Sequence, residues 1–308
     1  MSNQALGRVL LKSLISFLYK IWLNAPILIV ALCVAVIFGF LVRDSLPFFV
    51  HTVDNYRSVF FDTQWFPSEG KFGLLALVIG TLSVLAVGLL FSVLVSGVCA
   101  FGTVVYLPQR AQFYVSTFFD CASSLPPVVV GLFGLTVLVP VFAPIFPPGF
   151  GVFCSAIVLS VLLIPAMTTH WRECIKSEYD DKIMIAESLG IGKERFILRI
   201  LWPSTKGHIL PSIVLYAQRG MAETLAIVMV AGNVVQIPNG FFDPVRTINS
   251  TIALEIPYAE SIHRSSLFFL SLMIFFIAVS ITFFARTTGS AFDWFQIPGR
   301  QKRKMGAE

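Results

Sequence analysis

The sequence predicts an all-α integral membrane protein with six transmembrane helices, and three observations carry that prediction. Only 13% of the 308 residues are charged and 56% are apolar, against roughly 25% charged in a soluble domain. Such a chain cannot cover its surface with polar groups, so lipid must be its solvent. Residues 72–109 and 121–171 carry no Asp, Glu, Lys or Arg, and a spanning helix needs roughly 20 apolar residues. Proline and glycine stand where such a run has to turn, in PVFAPIFPPGFG from Pro140 to Gly151.

The elements follow in order. Residues 5–22, ALGRVLLKSLISFLYKIW, are basic and amphipathic; they either lie in the interface or extend the first span. No A-x-A site follows a short apolar core, so a cleaved signal peptide is not expected. Residues 25–42 form the first span. Residues 72–109 read as one long, tilted helix with interfacial ends. The uncharged run after Asp120 divides at the Pro/Gly cluster into spans over 113–143 and 150–171. The fifth span covers 207–235 and the sixth 265–285.

Six spans put both termini on one side, and the basic residues choose it. Sixteen of the 22 Lys and Arg fall in the N-terminal segment, the 106–112 loop, the 172–206 loop and the tail; Arg43, Arg57, Lys71, Arg246 and Arg264 lie on the other side. That bias places both termini and the 172–206 loop in the cytoplasm. The net charge of +5 is therefore a topology signal, and no nucleic-acid partner is expected. Cys33, Cys99, Cys121, Cys154 and Cys174 show no CxxC spacing, and His51, His170, His208 and His263 are scattered. No disulfide, metal, cofactor or catalytic residue is expected. Asn249-Ser250-Thr251 matches a glycosylation triplet, which chance explains in a chain of this length.

The longest charged stretch runs from Trp171 to His208. Ile183, Ala186, Glu187 and Leu189 precede Gly190, which can end a short helix because glycine tolerates a left-handed turn. A second amphipathic stretch holds Phe196, Ile197, Ile200 and Leu201, and Pro203 is expected to break the chain before it re-enters the membrane. There is no G-x-x-x-x-G-K-[ST] phosphate loop; GIGKER at 190–195 has neither the spacing nor the Ser/Thr. Any ATPase is another polypeptide.

Within the fifth span stand Arg219 and Glu223. A charge at the bilayer centre costs about 2.5–3.5 kcal/mol on insertion scales. At i and i+4 the two share a helix face. Either they neutralise each other within the bundle, or that face lines a polar cavity. In the second reading Arg219 offers forked donors to an oxyanion, and Glu223 holds it in place and limits how tightly the anion is trapped.

The 172–206 loop resembles the coupling loop of ABC importer permeases, E-A-A-x3-G-x9-I-x-L-P. Ala186, Gly190, Ile200 and Pro203 match; Met184, Ile185 and Trp202 depart from it. RGMAETLAIVMVAGN resembles the R-A-x-G-E-T-x-A-V-x-M-V-x-G-N signature of the permease subunit of the phosphate-specific ABC importers (PstC type). Arg219, Glu223, Thr224, Ala226, Met229, Val230, Gly232 and Asn233 match, and Ala222 stands where that family has glycine. DCASSLPPVVVGLFG at 120–134 resembles a second block of the family, with Asp120, Pro126, Gly131 and Gly134 in place and Pro127 replacing serine. Asp120 either caps its helix end or belongs to a gate beside Arg219, and Pro126-Pro127 kinks the helix.

The resemblance covers about 72–285. It implies the type I importer permease fold with a cytoplasmic coupling helix, and a translocation path past Arg219, Glu223, Thr224 and Asp120. It implies ATPase docking around Ala186, Glu187, Leu189, Gly190, Ile200 and Pro203. The partners it implies are cytoplasmic ABC ATPase subunits, a second related permease subunit and an extracytoplasmic phosphate-binding protein, all in the bacterial inner membrane or at its faces. The chain then divides into 1–71 (basic segment, first span and an extracytoplasmic loop), 72–285 (permease core with the coupling loop) and 286–308 (basic cytoplasmic tail). Residues 236–264 are expected to face the binding protein. The other readings are a permease for another oxyanion (molybdate, tungstate or sulfate), an ATP-independent secondary transporter, and a sensor or scaffold that moves nothing.

Overall fold

The structure, a computed structural model, describes residues 3–53 and 56–288. The basic tail beyond Thr288 lies outside the described residues. The first helix, α1, is continuous over Asn3–Thr52, so the basic N-terminal segment extends the first span. Its successive side chains Ile27, Leu28, Ile29 and Val30 are all exposed. That suits a helix in lipid, where an apolar side chain loses nothing by facing outward.

A short α2 (Tyr56–Phe61) leads to a two-stranded hairpin, β1 (Trp65–Phe66) and β2 (Lys71–Phe72), with Trp65 opposite Phe72. The sequence reading had only a loop here, because strands of two residues are too short to show alternation. Trp65 and Phe72 are buried, and Phe48 of α1 packs edge-on to Phe72 with ring centroids 5.2 Å apart.

The expected single helix over 72–109 is α3 (Leu75–Tyr106), 32 residues and therefore about 48 Å long. Its inner stripe is Gly88, Ser92, Ser96 and Ala100, all buried and one turn apart. Small residues let backbones approach where lipid supplies no hydrophobic drive between helices. The partner is the later helix α7 (Val152–Ser188): Ser160 Oγ donates to the Gly88 carbonyl at 2.9 Å, and Ser96 Oγ donates to the Ile164 carbonyl at 3.3 Å.

Then come α4 (Gln109–Ser123) and α5 (Pro127–Phe133), which continues through a π turn (Gly134–Leu138) into α6 (Val139–Phe142). The span read over 113–143 is thus two rods, bent by 92° at the break. α7 (Val152–Ser188) has 37 residues. It carries the fourth span straight on into the charged loop, since neither Pro nor Gly stands between Trp171 and Ser188. The short helix expected before Gly190 is the end of this long one.

α8 (Lys193–Phe196), a π turn (Ile197–Leu201) and α9 (Trp202–Met221) follow without interruption. Pro203 does not break the chain. Trp202 N–H reaches back to the Ile197 carbonyl, the wider π spacing, and this widened turn lets the helix run on through Pro203, which sits in the first turn of α9. The predicted fifth span over 207–235 is also not one helix: α9 stops at Met221 and α10 (Leu225–Val230) starts anew. Among the described residues, four helices are long and apolar enough to cross a membrane, Asn24–Thr52, Leu75–Tyr106, Val152–Ser188 and Ser261–Phe283, or up to five if the bent α4–α6 pair is one span.

Part of the 236–264 segment packs into the protein. Val245, Ile248 and Thr251 are buried, and Ile248, at the start of α11 (Ile248–Glu255), donates its N–H to Thr81 Oγ1 at 3.0 Å. Glu255 ties this end together. It accepts from Trp65 Nε1 at 2.9 Å, pairs with Arg246 at 2.9 Å and meets His263 Nε2 at 2.8 Å. α12 (Ser261–Thr288) closes the fold against α1 through phenylalanines, Phe40 on Phe268 and Phe48 on Phe269. These edge-on and tilted ring pairs give part of the 30 phenylalanines a packing role.

Candidate functional site

Two helix breaks meet at one cavity. The α4–α5 break is local in origin, since Pro126 and Pro127 have no N–H to continue a helix. The α9–α10 break is tertiary in origin. Residues 222–224 contain neither proline nor glycine, but Asn249 Nδ2 donates to the Met221 carbonyl at 2.8 Å and so satisfies the end of α9 from outside. In lipid, broken backbone is tolerated only where protein or water satisfies it.

The rods beyond the breaks pack closely. A Cβ on Gly131 would stand 2.7 Å from Ala226 Cα, and one on Gly134 would stand 2.5 Å from a Val158 methyl and 2.8 Å from a Val230 methyl. Only glycine lets α5 and α10 approach this far, which gives both glycines of the 120–134 block a physical reason.

The cavity between the breaks has a volume of about 220 Å³. Ser123, Ser124 and Pro126 line it from one break, Arg219 and Glu223 from the other, and Leu162 from α7. Arg219 is exposed toward this space and Glu223 is half-buried. Among the described residues, the ion pairs are Lys71–Glu69, Lys182–Glu178, Arg246–Glu255 and His263–Glu255, so Arg219 and Glu223 do not pair. The expectation that Glu223 holds Arg219 across one helical turn is not met, because the helix ends between them. Glu223 also borders a second space of about 10 Å³ with Thr81, Thr247 and Asn249, room for a single water among polar partners.

The other two predicted path residues do not line the main cavity. Thr224 lies in the break and its hydroxyl donates to the Ala222 carbonyl at 3.2 Å. Asp120 is exposed on α4, where Oδ1 accepts from Thr169 Oγ1 of α7 at 3.1 Å. Sequence reasoning missed Ser123, Ser124 and Asn249. The two serines lie in the 120–134 block beside the proline pair, a signal legible in the sequence. Asn249 shows in the sequence only as part of a triplet that chance explains. Ser250 and Thr251 of that triplet are fully buried.

At the far end of α7, Gly190 takes φ 67°. Ile191 N–H donates to the Ala186 carbonyl and Gly190 N–H to the Glu187 carbonyl, both at 3.0 Å. This pair of bonds is the Schellman ending of a helix, which needs a left-handed residue at the position of Gly190. Ala186 is buried, while Met184, Ile185 and Leu189 are 77%, 62% and 70% exposed. Ile200 lies half-buried in the π turn and Pro203 is exposed on the first turn of α9. Lys182 Nζ reaches Glu178 on its own helix and Ser204 on α9, and so fixes the tip against the next helix.

Comparison with known proteins bears on this arrangement. Residues 88–289 match the family described as "Binding-protein-dependent transport system inner membrane component". The phosphate transport system permease protein PstC of Xylella fastidiosa (strain 9a5c) is 27% identical over 250 residues, spanning 74% of this chain and 77% of that protein. The protein of the same name from Haemophilus influenzae is 26% identical over 254 residues, spanning 74% and 79%. Among solved structures, a chain of the inward-facing MetNI methionine ABC transporter aligns with a TM-score of 0.49 at 14% identity, covering 70% of this chain and 97% of its own. The family match takes in both helix breaks, the cavity between them and the Gly190 turn, and well over half of the sequence: the chain belongs to the family of inner membrane components of binding-protein-dependent transport systems.

Proposed function

We propose that this chain is the permease subunit of an ATP-driven importer of inorganic phosphate, and that the anion passes Arg219 on its way through the cavity. The observation that carries the reading is a guanidinium at a helix break, aimed into about 220 Å³ of space, with no carboxylate in ion-pair reach among the described residues. An arginine presents planar forked donors that match a phosphate oxygen pair. Ser123 and Ser124 add hydroxyls that donate to the Asp120 carbonyl at 2.8 and 3.2 Å; their oxygens can accept from a protonated anion, and rotation of either hydroxyl turns it into a donor. Glu223, unpaired on the same wall, opposes a second negative charge. It keeps a bound anion from resting there too long, and transport needs release as much as capture. The names of the relatives, phosphate transport system permease proteins, support the choice of anion.

ATP is hydrolysed on separate cytoplasmic subunits that dock on the exposed apolar tip around Met184, Ile185 and Leu189. The Gly190 turn transmits their closure along α7, one rod from that tip to the cavity wall at Leu162 and Leu163. Both termini and this tip are cytoplasmic, a second related permease subunit completes the conduit, and an extracytoplasmic phosphate-binding protein delivers the anion at the hairpin end. Thr224 and Asp120 act on the path indirectly, one within the α9–α10 break and one by tying α4 to α7.

The test is uptake of labelled phosphate by cells that depend on the assembled importer carrying Arg219→Ala. The expected result is no uptake with normal assembly. Wild-type uptake would overturn the site. Uptake of sulfate or molybdate but not phosphate by the unmodified importer would keep the machine and change the anion.

A further inference from the structure

At the hairpin end of the α1–α12 pair, two arginines on different helices line one open pocket. Arg43 and Asp44 come from α1 with Pro47, and Arg264, Ser265 and Phe268 come from α12; the space has a volume of about 220 Å³. Both guanidinium groups belong to exposed residues, and neither has an ion-pair partner among the described residues. Arg264 lies over the Phe268 ring with its guanidinium carbon 5.8 Å from the centroid. Asp44 lines the pocket too but lies beyond ion-pair reach of both, so the pocket is left with excess positive charge.

Depth matters as much as charge. Residues 25–42 are uncharged and apolar; at 1.5 Å per residue they reach about 27 Å along the helix, close to the thickness of a hydrocarbon core. Arg43 is the next residue. Arg264 stands in the first turn of α12, with an uncharged run from 265 to 285 behind it. The two cations therefore sit at the headgroup level of the same leaflet. Phe40 meets Phe268 edge-on below them, with centroids 5.4 Å apart, and the outward faces of α1 are bare: Val36, Ile37, Phe40 and Leu46 are all exposed. Two like charges crowded on one pocket repel unless an anion lies between them. The same charge complementarity seats anionic headgroups in basic pockets between membrane helices on the cytoplasmic side, and the phosphodiester of an anionic lipid in the opposite leaflet carries the same charge.

We infer that the Arg43–Arg264 pocket binds the phosphodiester headgroup of an anionic phospholipid, whose acyl chains lie along the exposed face of α1. The lipid fills the gap between two forked donors, steadies the crossing of α1 over α12, and is separate from the transported anion, which passes a different cavity.

The experiment uses the purified full chain in neutral detergent, supplied with equal amounts of phosphatidylglycerol and phosphatidylcholine. The lipid that copurifies is quantified by mass spectrometry. The unmodified chain is expected to retain phosphatidylglycerol over phosphatidylcholine by roughly tenfold, the scale of a charge-assisted hydrogen bond. The double variant Arg43→Gln, Arg264→Gln is expected to bring the ratio near parity, and Arg43→Lys, Arg264→Lys to restore most of it. Should the double glutamine variant aggregate, each single glutamine variant is expected to lower the ratio by itself. Equal retention of both lipids by the unmodified chain, or a ratio untouched by the glutamine variants, overturns the inference. So does loss of the preference on washing with excess inorganic phosphate, since that marks a free-phosphate site.

Discussion

Arg219 and Glu223 border the same cavity from the two sides of a helix end, and no ion pair joins them. The separation matters chemically. A guanidinium closed on a carboxylate has spent its forked donors, whereas one held apart keeps them for a ligand. Their roles can then be tested independently.

Arg219→Lys keeps the charge and loses the fork. Uptake of labelled phosphate is expected to fall roughly 10–100-fold, the scale of one or two charge-assisted hydrogen bonds. A rate within twofold of the unmodified importer would reduce the residue to a point charge.

Glu223→Gln removes the opposing charge without removing a clamp. The expected outcome is tighter retention of phosphate by the assembled importer together with slower uptake, read by trapping labelled anion on the purified complex. A complex that retains less phosphate than the unmodified one would mean that Glu223 does position Arg219.

Gly131→Ala drives a methyl to within 2.7 Å of Ala226 Cα, a backbone atom that cannot rotate away. Overpacking of this kind costs about 1–3 kcal/mol, so the thermal midpoint of the purified protein is expected to drop. Gly102→Ala is the control. Nothing lies within 4 Å of its added carbon, and a methyl in a helix interior is worth about 0.5–1 kcal/mol in its favour. Equal shifts in the two variants would contradict the close contact of α5 with α10.

Gly190→Val forces a branched side chain into a left-handed turn at a cost of about 1–2 kcal/mol, and crosslinking of the ATPase to the tip is expected to weaken. Gly190→Asn is expected to retain it, since asparagine tolerates that conformation. If both variants capture the ATPase at normal yield, the turn is not part of the dock.

Glu255→Ala leaves Arg246 without its carboxylate, and Trp65 and His263 without the same acceptor. Both partners of the Arg246 pair are largely buried, with side chains 15% and 17% exposed. Stranding such a cation costs about 3 kcal/mol, expected as a lower melting temperature with phosphate uptake reduced in proportion to the protein that survives.

What could be read from residues alone was what residues dictate locally. Long uncharged runs gave α1, α3 and α12 their places, and the proline pair at 126–127 announced a bend, though not one of 92°. A charged pair inside an apolar stretch marks two residues that line the cavity, Arg219 and Glu223. What stayed hidden was set by distant partners. The break after Met221 depends on an amide 28 positions further on, and no breaker in 222–224 betrays it. The π turn at Ile197–Leu201 lets Pro203 sit within a helix where propensity predicted an end. Spacing alone puts Arg219 and Glu223 on one helix face, because it assumes that the helix continues, and here tertiary contacts end it.

On the proposed function, Arg219 faces a wet conduit through which the anion moves. Ser124→Cys, introduced after the five native cysteines are replaced, puts a thiol on the opposite wall of that cavity. The measurement is its rate of reaction with a charged, membrane-impermeant thiol reagent in the assembled importer during ATP turnover, with and without phosphate. The thiol is expected to react, phosphate to slow the reaction, and Arg219→Ala to abolish the slowing. A thiol that stays unreactive at every stage of the cycle, or one that phosphate never protects while Arg219 is present, would rule out passage of the anion beside Arg219.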